Sequence, residues 1–331
     1  MAASDAVSTL QASIRTAVRA TTTPGTLAPP VSQWAPNYWW SHFSLANNPA
    51  YRVCFGDAGT SAPALTACSV FGDRVSPHRA FLVGDSRAFQ WLPTLAAWGT
   101  RRHWRVSALT KANCRPWSNT PYYSGAPGRT TGAPYPSCAS FNRAVLEAIR
   151  TVRPSYVFVT AMRGRTGTAS FEVNAQIRSG MIAFARSLQA LGAVVIFIGP
   201  NPEWFASSGL AADVYPPDCV VRHLNSPAHC VGSGASRGGR AGVLEAGYFN
   251  AMVDAARSTS STYLPTPDLF CVRSFQVAAT APNGAAYGAC PQLVAATLVY
   301  LDRQHITREY AQYISPAFAQ LVDQSIIPPP Q

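Results

Sequence analysis

Lysine is almost missing from this chain: Lys111 is the only one, so all but one of the 26 basic residues are arginine. Against 15 acidic residues they leave a formal charge of +11, yet they are scattered and form no basic tract interleaved with aromatics. The nearest candidate, Arg101, Arg102, His103, Trp104 and Arg105, runs straight into an apolar, strand-like stretch. That distribution argues against a nucleic-acid partner and suits a surface facing anionic envelope polymers. Long hydrophobic runs are missing too. No stretch approaches the ~20 apolar residues that span a bilayer. Residues 1–19, interrupted by Asp5, Gln11 and Arg15, lack the apolar centre of a signal peptide. No C-x-x-C pair occurs, and only His223 and His229 stand near a cysteine pair, Cys219 and Cys230, so neither a metal nor any other cofactor is expected. With 47% apolar residues, 331 residues can bury a large core, and disorder is not the default.

Cysteines are plentiful by contrast. Cys54 and Cys68, Cys114 and Cys138, Cys219 and Cys230, and Cys271 and Cys290 fall as four local couples around Pro-, Gly- or Ser-rich loops. Eight thiols admit roughly a hundred connectivities; pairing of neighbours is the expectation, each bridge stabilising by about 3 kcal/mol in the chain-entropy model. Such a set implies an oxidising, extracytoplasmic compartment. Because the chain has no export signal of its own, we expect a soluble piece of a longer, membrane-anchored protein with the anchor upstream.

Residues 21–36 have the Pro/Thr/Ala composition of an extended linker. The expected organisation is a linker or extension over 1–38, an irregular wrapping segment over 39–80, and the main domain over 81–328. In that domain apolar runs alternate with helical periods, the pattern of a parallel sheet covered by helices. Strands are predicted at 81–83, 104–109, 156–161, 193–198 and near Tyr263. Helices are predicted at 87–98, through Phe141 to Val152, at 243–256 and at 307–325. The clearest helix carries Ile177, Met181, Phe184, Leu188 and Leu191, closed by Gly192 at a left-handed cap position. The fold class is α/β, with a five-stranded parallel sheet between helices.

Ligands of such sheets gather at the carboxyl ends of the strands. There the run Phe81-Leu82-Val83-Gly84-Asp85-Ser86 delivers a serine to the start of a helix, where backbone N–H groups can face a developing oxyanion. Taken alone, Ser86 is equally well an N-cap. A nucleophilic serine needs a base. Of six histidines, only His305 has a carboxylate in a matching place, Asp302, three residues earlier and just before the last helix. One short loop then presents both, the carboxylate fixing the imidazole tautomer. By itself, Asp-x-x-His is better explained as a solvated helix start.

Taken together, strand-Gly-Asp-Ser-helix near the start and Asp-x-x-His before the final helix resemble the SGNH (GDSL-like) hydrolase superfamily over residues 81 to about 325. LVGDSRAFQWLP, the Cys-Arg-Pro-Trp after the second strand, Gly-Pro-Asn-Pro-Glu after the fourth, Asp268-Leu269-Phe270-Cys271 and Tyr300-Leu301-Asp302-Arg303-Gln304-His305-Ile306-Thr307 look more narrowly like the extracytoplasmic SGNH domain found C-terminal to acyltransferase-3 membrane proteins. The resemblance implies a three-layer, flavodoxin-like fold. It also implies a serine O-acyltransferase or esterase with Ser86, His305 and Asp302 as triad, an acyl donor, and a cell-envelope glycan or glycolipid acceptor. An upstream transmembrane acyltransferase domain of the same protein, tethering this one to the membrane, would explain the missing export signal. Two oxyanion residues of the superfamily are absent: the loop after the second strand has no glycine, and Ala161-Met162-Arg163-Gly164-Arg165 replaces Gly-x-Asn-Asp. Asn113 and Arg163 are the positional substitutes, with the Ser86 N–H as a third donor. Asn201, between two prolines, reads as a turn residue. Asp85 reads as a structural partner of loop amides, and Trp117 and Trp204 as platforms for a saccharide. The irregular oxyanion positions keep a second expectation open, a non-catalytic module that binds glycan or presents an acyl donor to an attached membrane transferase.

Overall fold

The computed structural model describes residues 5–23, 25–34, 49–117, 133–162, 171–202, 216–233, 240–272, 289–302 and 304–326. Among the described residues the main sheet has seven strands: β1 (Phe55–Gly56), β2 (Phe71–Gly72), β3 (Arg79–Gly84), β4 (Arg105–Lys111), β5 (Tyr156–Thr160), β6 (Val194–Ile198) and β7 (Thr262–Leu264). Five of these, in the spatial order β4-β3-β5-β6-β7, are the parallel strands expected from sequence. The expected count of five is corrected by β1 and β2. Both lie on the outer edge of β4, β1 parallel to its end (Phe55 opposite Thr110) and β2 antiparallel to its start (Phe71 opposite Val106). Two residues each are too few to show an alternating pattern, but they cover an otherwise open edge.

Burial on both faces explains why the central strands read as unbroken apolar runs. Ala80, Leu82, Phe158, Ile196 and Ile198 point to one side and join a core with Trp91, Leu95, Trp98 and Phe318. Phe81, Val83, Val157, Val159 and Phe197 point to the other and meet Phe141, Ile149, Met181, Leu188 and Met252. The first side is covered by α1 (Ala6–Val18), α3 (Leu92–Arg102), α7 (Arg308–Tyr313) and α8 (Ser315–Ser325). The second is covered by α4 (Pro136–Val152), α5 (Phe171–Ala190) and α6 (Arg240–Ser258). Where one helix was expected after β3, a single turn, α2 (Ser86–Phe89), precedes α3. The terminal helix likewise divides at Ile314, ahead of Pro316 in the first turn of α8.

The N-terminal extension is not a free linker. In α1, Leu10 and Ile14 are buried in the first core. Its Gln11 side chain donates to the carbonyls of Asp268 and Cys271 at 2.5 and 2.9 Å. Further on, Leu27 and Trp34 are buried and Ala28 bridges to Thr297. Apolar residues one helical turn apart within a polar background suffice for this docking, and bulk composition concealed them.

All eight cysteines pair as neighbours: Cys54–Cys68, Cys114–Cys138, Cys219–Cys230 and Cys271–Cys290. These four bridges fit an extracytoplasmic domain. Among the described residues, no helix is long and apolar enough to cross a membrane.

Candidate active site

Gly84 ends β3 with φ +150°, a conformation open to glycine, and a Cβ there would stand 1.8 Å from the Thr160 carbonyl oxygen. The chain therefore turns tightly against β5 and enters α2. Asp85 is the N-cap of that turn: its fully buried carboxylate accepts the Arg87 N–H and the Met162 N–H, both at 2.9 Å. Burial raises its pKa and the two amides hold the rise back. Since Asp85 does the capping, the Ser86 hydroxyl is released from that task.

That hydroxyl meets His305. Ser86 Oγ lies 2.8 Å from His305 Nε2, and His305 Nδ1 lies 2.7 Å from Asp302 Oδ2. The other carboxylate oxygen accepts the N–H groups of Gln304 and His305 at 2.6 and 2.7 Å. Burial works against ionisation of Asp302, but the facing imidazole and these two N–H groups outweigh it, and its pKa lies below the ordinary carboxylate value. The imidazole and the carboxylate keep side-chain exposures of 21% and 15%, so the pair is not sealed from solvent. A hydroxyl, an imidazole and an ionised carboxylate in this line can pass a proton from oxygen to nitrogen while the resulting imidazolium is stabilised.

A second, buried set of polar groups surrounds the loop and escaped the sequence reading. The Arg87 guanidinium donates to the Gln304 carbonyl and, at 3.2 Å, to Asn201 Oδ1. Asn201 Nδ2 donates to the same Gln304 carbonyl at 2.9 Å. Gln90 Nε2 donates to Asn201 Oδ1 at 2.7 Å, while Gln90 Oε1 accepts the Ile306 N–H at 2.9 Å. Asn201 is thus a fully buried link (1% exposed) to the His305 loop, not simply a turn residue. The available signal was the presence of Arg87 and Gln90 on the helical turn opened by Ser86, in positions otherwise apolar.

Asn113 stands in the turn after β4 with φ +53°, at the sheet end where Gly84 pairs with Thr110, and the Cys114–Cys138 bridge follows it at once. Arg163 and Trp204 lie outside the described residues. Trp117 is corrected: it is 4% exposed and belongs to the second core, so no saccharide can stack on it.

The family model described as the SGNH domain fused to AT3 domains matches residues 53–320. This chain belongs to that family. The SGNH domain shares its fold with the periplasmic domain of a lipopolysaccharide acetyltransferase from Salmonella ser. Paratyphi A: TM-score 0.55 and 17% identity, over 87% of this chain and 100% of that one. A putative SGNH hydrolase from Slackia heliotrinireducens aligns with TM-score 0.38 and 11% identity, over 74% of this chain and 98% of the other. Among curated proteins no significant match is found. Family membership associates the SGNH domain with membrane AT3 domains and supports an acyl-modifying role.

Proposed function

We propose that this SGNH domain is an extracytoplasmic serine-dependent O-acyltransferase or esterase acting on an acyl group of a cell-envelope glycan or glycolipid. The supporting observation is the continuous hydrogen-bonded line from Ser86 Oγ through His305 to Asp302. Ser86 attacks the acyl carbonyl as His305 Nε2 takes its proton. The tetrahedral adduct collapses, the donor's alcohol leaves with that proton, and an acyl-serine ester remains. A sugar hydroxyl or water, deprotonated by His305, then attacks the ester and Ser86 recovers its proton. The Ser86 N–H, Asn113 and Arg163 are the proposed oxyanion donors. Asp302 holds the imidazole in the required tautomer. In the full protein, the acyl donor is supplied by a transmembrane acyltransferase domain upstream, which also tethers this domain to the membrane; the acetyltransferase named for the Salmonella neighbour is consistent with that reading. Hydrolysis of p-nitrophenyl acetate by the parent and by Ser86→Ala tests it. Equal background rates would instead favour a non-catalytic module that binds glycan or presents the acyl donor, the reading to which the missing oxyanion glycine and asparagine point.

A further inference from the structure

The structure assigns Gln90 and Asn201 a positioning role: with Arg87 they clamp the peptide groups on both sides of His305 and so set the imidazole against Ser86. This inference rests on the reading of Ser86, His305 and Asp302 as the reacting set and adds the groups that aim it.

The backbone around His305 leaves little freedom. Asp302 Oδ1 holds the N–H groups of residues 304 and 305, and the His305 carbonyl accepts the Leu301 N–H at 2.7 Å. The two remaining groups, the Gln304 carbonyl and the Ile306 N–H, are held from outside the loop. Asn201 and Arg87 bond the first and Gln90 the second, while Asn201 and Gln90 bond each other. Arg87 and Gln90 lie one and four residues beyond Ser86 on the same helical turn. The nucleophile and the base are therefore registered to one another through that turn. The segment carrying Asn201, three residues beyond β6, is anchored in its own right, because the Tyr300 hydroxyl donates to the adjoining Pro202 carbonyl at 2.6 Å. Arg87, Gln90 and Asn201 are 5%, 3% and 1% exposed. Burying three polar side chains is costly, and an apolar filling would remove these partners from the Gln304 carbonyl and the Ile306 N–H.

A displacement of about 1 Å between reacting groups can cost roughly a hundredfold in rate. Gln90→Met and Asn201→Leu keep side-chain size and remove the bonds. Both are expected to lower kcat for p-nitrophenyl acetate about 10- to 100-fold with KM within about twofold. Gln90→Glu keeps an acceptor for the Ile306 N–H and is expected to recover part of that loss, and it serves as the working variant should Gln90→Met not fold. An independent readout is the His305 Nδ1–H proton resonance, sharp and slow to exchange while the loop is clamped, and broadened or lost in the two apolar variants. Parent-like kcat together with a parent-like resonance in folded variants would overturn the inference. Turnover that does not depend on Ser86 would overturn the acyl-transfer reading alone, since the resonance still reports whether the clamp holds the loop.

Discussion

Ser86 Oγ and His305 Nε2 are 2.8 Å apart in space and 219 residues apart in the chain. Only the sheet brings them together, by ending β3 beneath the loop that precedes α7. If the contact carries the proton, Ser86→Ala and His305→Ala each lower p-nitrophenyl acetate turnover on the order of a thousandfold or more. The double variant is then no slower than the slower single one, because members of one proton-transfer unit are not additive. Losses that multiply would show two independent contributions and defeat the proposal.

Asp302 uses both oxygens, one on the imidazole and one on two backbone N–H groups. Asp302→Asn offers a single carbonyl for both tasks and favours the wrong imidazole tautomer, so kcat is expected to fall roughly 10³- to 10⁴-fold with little change in KM. The same carboxylate makes an acid-sensitive contribution to stability. Its folded-state pKa lies below the unfolded value of about 3.9, so the contribution is fully present above that value and is lost as pH falls through the lowered one. Urea unfolding at neutral pH and near pH 3 is expected to show a smaller acid-induced loss in Asp302→Asn than in the parent.

What could be read directly was set by burial and by local chemistry. β3 to β6 and α5 declare themselves because each buries a whole face, and Gly-Asp-Ser and Asp-x-x-His are compact because the serine turn and the His305 loop are each built from neighbouring residues. α1 stayed hidden because Leu10 and Ile14 are its only buried apolar side chains, set among alanines and polar residues, and β1 and β2 because edge strands of two residues have no period. Arg87 and Gln90 hinted at a buried polar set, but their partner was illegible for another reason: Gln90 and Asn201 meet 111 residues apart, and nothing local to either reports the other.

Cys114 directly follows Asn113 and ties the turn after β4 to the first turn of α4 through Cys138. Replacing both by serine releases a loop of 24-residue separation, an expected loss of about 3 kcal/mol, or roughly 4 to 6 °C in Tm for a domain of this size. If Asn113 serves the oxyanion, kcat falls further than in a Cys219/Cys230 double-serine variant brought to equal stability by a change of temperature. Equal kcat in the two would remove Asn113 from the proposed site.

Lys111, the one lysine of the chain, ends β4 with its side chain fully buried; Nζ donates to the Asp57 carbonyl and lies 4.9 Å from the centre of the Tyr135 ring. Burial pulls its pKa down to about 8, with the Asp57 carboxylate opposing the shift. Between that value and the ~10.4 of an unfolded lysine, the unfolded chain holds a proton that the folded one has released, so this group's contribution to stability rises with pH across the interval. Below about pH 8 both states are charged and the folded one bears the cost of burying the charge. Lys111→Met removes the effect. Urea unfolding at pH 7.5 and pH 9.5 is expected to show the parent gaining on the variant by on the order of 1 to 2 kcal/mol. A parent-to-variant difference that does not change with pH would mean that Lys111 keeps an ordinary pKa and that the Asp57 carbonyl and the Tyr135 ring hold a fully charged ammonium.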